Sequence, residues 1–347
     1  MVLIDAIYIN QSGGKVLLEY FIKTLILEQQ ISRFFFLFDK RLDSNIVTEI
    51  SELQKVFLEP TETSRVNFYK IRQTDFKKVF CFANVPPPVR QRNSEVYILF
   101  HNALILDSKN KDYGLITRLR FFLKRKYISF KNKKDYNWIV QTRNMSSLLA
   151  KGLALSGNTI RVLPFYESGR FTNVNKQLEI NNDKFLYIAD GVRQKNHLTL
   201  LAAWVYLFDK YRLPISLHLT IPSSFVSLIN EINRLQDKGA NIINYGRCNS
   251  EKITTLYSIC NTFVTPSFTE SFGLPIIEAT EAGCEVLAAD LPYTYDIINP
   301  LETFDPNNVK DLANKIRFAF EKKYKSQTQL IINNKIKDII NLITEHV

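Results

Sequence analysis

Short apolar runs alternate with stretches whose apolar residues recur at helical spacing, and this alternation constrains the fold more than any other feature. Apolar runs typical of strands cover residues 2–9, 32–39, 95–100, 137–142, 184–190, 215–221, 241–246, 261–267 and 285–290. Nearly continuous apolar strands separated by helices are typical of parallel sheets covered on both faces. The sequence therefore predicts an α/β protein with parallel sheets.

The chain of 347 residues is longer than one hydrophobic core usually supports. Around residues 164–182 the alternation gives way to a polar, turn-rich stretch, after which a second series of strands and helices begins. We therefore expect two domains, residues 1–165 and 166–347. The pattern leaves open whether the last helix crosses back to the first domain.

The bulk composition excludes several classes of protein. With 46% apolar residues the chain is globular, and no apolar run is long enough to span a bilayer. The first ten residues lack the basic region of a secretory signal, so we expect none. The four cysteines form no C-x-x-C pair and there are four histidines, which predicts neither a zinc site nor a disulfide framework but a reduced, cytosolic compartment.

The charge is distributed unevenly along the chain. Residues 1–165 contain 26 Lys/Arg and 14 Asp/Glu, a net +12, whereas residues 166–347 contain 19 and 20, a net −1. The whole excess of +11 therefore lies in the first half. Such asymmetry predicts one basic surface that faces an acidic partner.

The stretch "SFTESFGLPIIEATEAG" (267–283) contains the pattern E-x-F-G-x-P-x-x-E, which is too demanding to be common by chance. It follows the strand at 261–265, and Pro275 is expected to begin a helix that stops at Gly283. The loop thus lies at the carboxyl end of a parallel strand, where open α/β sheets bind ligands. Glu270 in the loop and Glu278 in the first helical turn are expected to reach one pocket and accept sugar hydroxyls.

Residues 245–298 resemble the nucleotide-sugar half of retaining GT-B glycosyltransferases of group 1 (family 4-like). The resemblance covers residues 185–300 well and the first half only in general plan. It implies a GT-B fold, that is, two Rossmann-like domains with parallel sheets facing across a cleft. It also implies that Glu270 lies beside the donor sugar, that Glu278 binds the ribose hydroxyls, and that the amides of Phe272, Gly273 and Leu274 hold the sugar.

"FLYIADGVRQKN" (185–196) resembles the second marker of that family, a strand and loop that end in a lysine before a helix. A metal-free site needs a cation for the charge that develops on the β-phosphate, and Lys195 is the candidate. The family usually has Gly-Arg five residues before this lysine, whereas Ala189 and Asp190 stand here. An aspartate cannot replace the arginine on a diphosphate, so we consider Arg193 as a substitute, with a solvated loop arginine as the alternative.

Two features of the first half are also consistent with a glycosyltransferase of this family. The turn with Gly13 and Gly14 resembles the glycine turn that in these enzymes faces the diphosphate and the acceptor, although such a pair is also common in ordinary turns. His101 ends the strand 95–100, where it could bind the donor sugar or assist proton movement, or be a packing residue.

Residues 114–134 account for much of the basic excess. Residues 117–134 contain eight Lys/Arg and no acid, interleaved with aromatic and aliphatic residues. Either this is an ordinary amphipathic helix with a solvated basic face, or it lies on an anionic membrane surface.

These observations predict a retaining glycosyltransferase that transfers a hexose from a nucleotide diphosphate sugar to a lipid-linked or lipopolysaccharide glycan. No cofactor and no metal are expected, since no Asp-x-Asp occurs. We expect a role in bacterial surface polysaccharide synthesis (O-antigen or capsule), with the protein peripheral at the inner face of the cytoplasmic membrane. The alternatives are a GT-B nucleotide-sugar epimerase, which needs no acceptor, and a polyanion-binding module, which would bind nucleic acid in a salt-sensitive way but leaves the E-x-F-G-x-P-x-x-E stretch without a purpose. We expect no nucleic-acid partner.

Overall fold

The computed structural model describes residues 1–72, 74–106, 113–155, 159–172, 174, 182–321 and 328–346. The chain forms two compact units, one of Met1–Glu167 with Asn333–Val347 and one of Ser168–Ile332. The sequence placed the boundary between residues 165 and 166 and left the last helix open. In the structure that helix packs with the first unit.

The first unit is an α/β unit built around seven strands. Its elements are β1 (Val2–Ala6), α1 (Ser12–Leu27), β2 (Phe34–Asp39), β3 (Lys55–Leu58), α2 (Glu62–Ile71), β4 (Lys78–Cys81), β5 (Glu95–Leu99), α3 (Ala103–Leu106), α4 (Leu115–Lys131), β6 (Asn137–Val140), α5 (Arg143–Leu153), β7 (Thr159–Val162) and, from the end of the chain, α12 (Ile336–Thr344).

The strands of this unit are all parallel and lie in the order β3-β2-β1-β4-β5-β6-β7. The central strands are fully buried, as their near-continuous apolar sequences require. The strand order reverses between β1 and β4, so the loops after these two strands diverge and leave a crevice at the carboxyl edge of the sheet.

The last helix, α12, is bound to the first unit through its carboxyl end. Lys78 Nζ donates to the carbonyl of Leu342 at 2.9 Å, and Arg33 Nη2 donates to that of Thr344 at 2.7 Å. Two cations thus satisfy carbonyls that the helix leaves unpaired and complement its dipole.

The second unit repeats the α/β plan with six parallel strands. Its elements are β8 (Lys184–Tyr187), α6 (His197–Tyr211), β9 (Ser216–Leu219), α7 (Val226–Asp237), β10 (Ile242–Asn244), α8 (Ser250–Ile259), β11 (Thr262–Thr265), α9 (Leu274–Glu281), β12 (Glu285–Ala289), α10 (Pro292–Ile297), β13 (Ile298–Asn299), β14 (Glu302–Phe304), α11 (Val309–Glu321) and β15 (Gln329–Leu330).

The parallel sheet of the second unit has the order β10-β9-β8-β11-β12-β14, while β13 and β15 pair separately as an antiparallel ribbon. Here the order reverses between β8 and β11. These two strands lie side by side although α6, α7 and α8 separate them in the chain, and the loops that follow them carry the predicted lysine and the first predicted glutamate.

The predicted strands and helices are present, with strands shorter than their apolar runs. One local prediction was wrong: Gly13 and Gly14 do not form a turn before α1 but lie in its first helical turn, which starts at Ser12. Of the helices in the described ranges, none is long and apolar enough to cross a membrane.

Candidate active site

Lys195 and Glu270 meet at the carboxyl edge of the second sheet. The Lys195 Nζ atom lies 2.6 Å from Glu270 Oε1, and the two side chains are 20% and 11% exposed. Lys195 ends a short 3-10 turn after β8, and Glu270 lies in the loop after β11. Two residues that sequence reasoning selected separately are therefore in direct contact, because their strands are neighbours where the strand order reverses.

A chain of buried hydroxyl groups holds the two loops together beneath this ion pair. The Tyr187 hydroxyl donates to the carbonyl of Lys195 at 2.9 Å, and Ser267 Oγ lies 2.8 Å from the same phenolic oxygen. Since the phenol has one proton, the serine donates to it. The Tyr293 hydroxyl donates to the carbonyl of Ser267 at 2.8 Å. The position of Lys195 thus depends on Tyr187, which sequence reasoning missed because it resembles an ordinary core residue of a strand.

Asn196 forms a second connection between these loops. Its backbone is left-handed (φ 54°), a conformation that asparagine tolerates. The buried side-chain amide donates to the carbonyls of Pro266 at 3.0 Å and Pro306 at 2.8 Å. Nearby, the amide of Phe268 donates to the carbonyl of Gln194 at 2.8 Å. The lysine loop is therefore bound to the glutamate loop through both main-chain and side-chain groups.

The loop after β11 enters α9 through a position that only glycine fits. Gly273 has φ +71°, and a Cβ there would lie 3.0 Å from Ile276 and 3.1 Å from Ile297. Phe272 is buried and anchors the loop. Within the described part of the chain no acceptor pairs with the amides of Gly273 and Leu274, so both are available to a ligand at the start of the helix.

Glu278 lies in the second turn of α9, not in the first turn as the sequence predicted. Desolvation raises the pKa of its carboxyl group to about 7, against smaller opposing effects of the Arg170 charge and of a hydrogen bond from Tyr257. The Tyr257 hydroxyl donates to Glu278 Oε2 at 3.1 Å. A partly buried carboxylate oriented by a phenol is suited to accept hydrogen bonds from a pair of neighbouring hydroxyls.

Arg170 is the cation that sequence reasoning missed near Glu278. Its Nη2 donates to Ser250 Oγ at 2.5 Å and its guanidinium lies 5.2 Å from the centre of the Phe171 ring. The predicted substitute Arg193 lies exposed in the 3-10 turn before Asn196. Asp190, which occupies the position of the family arginine, is exposed as well. The second unit therefore has two cations in the lysine loop, Arg193 and Lys195, and a third, Arg170, that acts on the carboxylate of Glu278.

His197 begins α6 directly after the lysine loop and is 4% exposed. Neither ring nitrogen has a hydrogen-bond partner among the residues that the structure describes. The ring lies 4.9 Å from that of Tyr187, and burial, with a smaller contribution from Lys195, lowers the pKa of the imidazole to about 3. The imidazole of His197 is therefore neutral near pH 7.

The first unit brings Gly14 and His101 together. A Cβ at Gly14 would lie 3.3 Å from His101 Cε1. Asn84 Oδ1 accepts the backbone N–H of His101 at 2.6 Å, so the Asn84 amide group donates to the ring nitrogen Nε2, 3.2 Å away. Burial lowers the pKa of His101 to about 4, against a hydrogen bond to the backbone of Phe82 that raises it. His101 is thus neutral near pH 7, which favours hydrogen bonding over proton movement.

Across the described ranges, no three His, Cys, Asp or Glu side chains are grouped so that they could hold a metal ion.

The part of the chain that contains these loops matches a known protein family. Residues 171–337 match the model of the family described as "Glycosyl transferases group 1". The match contains Lys195, Glu270 and Glu278. The sequence matches none of the curated proteins searched.

Solved structures resemble the chain at the level of the fold. WaaB, a lipopolysaccharide outer core galactosyltransferase, matches with a TM-score of 0.64 at 15% identity over 100% of this chain and 99% of its own. HepE from Anabaena, solved in complex with UDP and glucose, matches with a TM-score of 0.62 at 16% identity over 99% of this chain and 95% of its own. TarM matches with a TM-score of 0.56 at 17% identity over 84% of this chain. The matched part spans 60% of the length of TarM. The fold is therefore GT-B, and residues 171–337, just under half of the chain, resemble the family of group 1 glycosyl transferases.

Proposed function

We propose that the protein is a retaining glycosyltransferase that uses a nucleotide diphosphate sugar without a metal ion. The observation that carries this proposal is the 2.6 Å contact between Lys195 and Glu270 where the strand order of the second sheet reverses. The ammonium group would face the β-phosphate of a bound donor, and the carboxylate would then accept a hydroxyl of the donor sugar. Both groups are held by the same set of loop–loop hydrogen bonds.

In the proposed reaction the bond between the sugar C1 and the β-phosphate oxygen breaks, and a bond from an acceptor oxygen to C1 forms on the same face. The leaving phosphate takes the acceptor proton, so no side chain has to act as a base. Lys195 would stabilise the charge on the departing phosphate in place of a metal ion, and such electrostatic stabilisation is typically the largest single contribution to catalysis. Glu278 would bind the ribose hydroxyls.

The relatives support a sugar nucleotide as the donor and a surface glycan as the acceptor. HepE was solved with UDP and glucose, and WaaB is named for transfer to lipopolysaccharide. We therefore propose a uridine diphosphate hexose as the donor. The proposed acceptor is a lipid-linked or lipopolysaccharide glycan of O-antigen or capsule synthesis at the inner face of the cytoplasmic membrane.

The helix α4 supports a membrane-bound acceptor. Exposed apolar side chains follow one face of this helix at helical spacing: Leu115, Ile116, Leu119, Phe122, Leu123 and Phe130. Ile128, on the opposite face, is 1% exposed and packs into the core. Arg118 and Arg120 flank this face, Lys126 lies within it with its Nζ 5.6 Å from the centre of the Phe122 ring, and the helix contains no acid. We propose that α4 lies on anionic lipid with this apolar face.

A thermal-shift panel with UDP, GDP, dTDP, CDP and ADP, with EDTA and then with magnesium, tests the donor. One nucleotide should stabilise the protein with or without metal, by about 2.7 kcal/mol at a hundred times its dissociation constant. The protein should then release that nucleotide from its nucleotide sugars only when an envelope glycolipid is added as the acceptor. Conversion of the conjugate to an epimer without acceptor, or no stabilisation by any nucleotide, would contradict the proposal.

A further inference from the structure

The sheet of the first unit has its own reversal of strand order, between β1 and β4, and Tyr8 follows β1 at that point. Tyr8 has φ +82°. For a bulky residue a left-handed backbone is an outlier, and such strain persists where surrounding contacts enforce it, often at ligand sites. The location and the conformation of Tyr8 therefore both need an explanation.

Asp39, the last residue of β2, enforces this conformation. Its Oδ2 atom accepts the backbone N–H of Tyr8 at 3.2 Å. Arg41 orients the same carboxylate through two side-chain hydrogen bonds, from Nε at 2.9 Å and from Nη2 at 2.7 Å. The loops after the two adjacent strands thus cooperate to hold the tyrosine at the carboxyl edge of the sheet.

The phenol held in this way lies beside polar groups of two helices. Burial raises the pKa of Tyr8, the Arg65 guanidinium, 5.9 Å from the ring centre, lowers it, and the Glu62 carboxylate raises it further. Glu62 Oε1 accepts the hydroxyl of Tyr127 and lies 3.5 Å from Lys131 Nζ.

Two polar atoms of this cluster are left for a ligand. In the described part of the chain no group hydrogen-bonds the hydroxyl of Tyr8, and no donor pairs with Glu62 Oε2. An aromatic ring beside a carboxylate oxygen matches a pyranose, which offers an apolar C–H face and a row of hydroxyl donors.

We propose that Tyr8, Glu62 and Tyr127 form a sugar-binding subsite that takes the glycan of the acceptor. A pyranose would pack on the Tyr8 ring and donate hydroxyls to Glu62, which the Tyr127 hydroxyl orients. This inference rests on the proposed glycosyl transfer, because it names the acceptor side of that reaction. It also gives α4 a second role, since Tyr127 lies on the helix whose apolar face we assign to the lipid surface.

The test uses methyl α- and β-pyranosides of glucose, galactose, mannose and N-acetylglucosamine as probes, observed by saturation-transfer NMR with the full-length protein and UDP. At least one pyranoside should bind the wild type. In Tyr8→Asn and in Glu62→Gln its dissociation constant should rise about tenfold, or ~1.4 kcal/mol. Tyr8→Phe, which keeps the ring, should bind within about threefold of the wild type. Asparagine tolerates a left-handed backbone, so Tyr8→Asn keeps the loop conformation, and its thermal shift with UDP checks that it folds despite the loss of the ring's contacts with the core.

Tyr206→Ala, on α6 of the second unit, removes a tyrosine elsewhere and should leave pyranoside binding unchanged. The thermal shift with UDP should be the same in all variants. No bound pyranoside in the wild type, or equal binding in Tyr8→Asn, overturns the subsite. Tyr8-dependent pyranoside binding without any thermal shift by a nucleotide would support the subsite and overturn the proposed donor instead.

Discussion

Lys195 and Glu270, 75 positions apart in the chain, form a 2.6 Å ion pair because β8 and β11 are neighbours in the sheet. Without donor, the ammonium is thus already paired with a carboxylate. A diphosphate that approaches Lys195 competes with Glu270 for it. The two residues should therefore affect nucleotide binding in opposite directions, although we expect both to be needed for the proposed transfer.

Glu270→Gln should keep UDP affinity equal to that of the wild type or raise it, because Lys195 loses its competing partner. The same variant should lose transfer by about a hundredfold or more, because the sugar hydroxyl loses a charged acceptor. Lys195→Met should weaken UDP binding and transfer together. Calorimetric titration with UDP and initial rates of transfer measure both. Weaker UDP binding in Glu270→Gln would contradict the proposed competition.

Tyr187→Phe tests whether the buried hydroxyl positions the lysine. The change keeps the ring contacts with Phe263 and His197 but leaves the carbonyl of Lys195 without its donor. We expect kcat to fall about tenfold with little change in KM, and a loss of about 1–2 kcal/mol in the free energy of unfolding. Tyr206→Phe, which removes a hydroxyl near the surface of the same unit, serves as the matched control. Equal kcat values in the two variants would mean that Tyr187 only stabilises the fold.

Glu278 predicts a pH dependence of donor binding. Burial raises its pKa from 4.5 to about 7, and ribose hydroxyls require the ionised form. Affinity for a nucleotide-sugar, whose phosphodiesters do not titrate in this range, should rise as the pH increases to about 7 and then level off. In the free protein the raised pKa makes the stability fall as the pH rises from 4.5 through 7, since the unfolded chain binds fewer protons there. Glu278→Gln should flatten both profiles, and unchanged profiles would remove Glu278 from the ribose site.

The sequence predicted the fold well because buried parallel strands have nearly continuous apolar runs. It missed the edge strands β3, β7 and β14, which are only partly buried, and also β4, which is central and fully buried but only four residues long. In the site, the spacing of Gly273, Pro275 and the glutamates identified the loop after β11. Tyr187 could not be identified, because its partners depend on strand order, and the left-handed backbone of Tyr8 has no signature in residue type.

His197 predicts a variant more stable than the wild type. Both ring nitrogens are buried without a partner in the described ranges, and burying an unsatisfied polar group costs about 1–3 kcal/mol. His197→Leu should therefore raise the free energy of unfolding by about 1–2 kcal/mol, measured by urea denaturation at pH 7.5. The pKa of the imidazole falls from 6.5 to about 3, so the wild type loses stability as the pH drops through that range because the unfolded chain protonates first. The gain in His197→Leu should accordingly be larger at pH 5, and a destabilised variant would mean that the ring has a partner.

The apolar face of α4 predicts binding to anionic vesicles. A charge on that face should prevent insertion, so the double variant Leu119→Glu/Leu123→Glu should reduce cosedimentation with phosphatidylglycerol vesicles at least tenfold, while the UDP thermal shift stays unchanged. Leu53→Glu is the control, because Leu53 is 89% exposed in the same unit but lies outside α4. Binding should also weaken with salt and be weak on phosphatidylcholine, since the basic flanks attract anionic headgroups. Equal cosedimentation of the double variant and Leu53→Glu would mean that α4 is an ordinary surface helix and that the acceptor reaches the protein by another route.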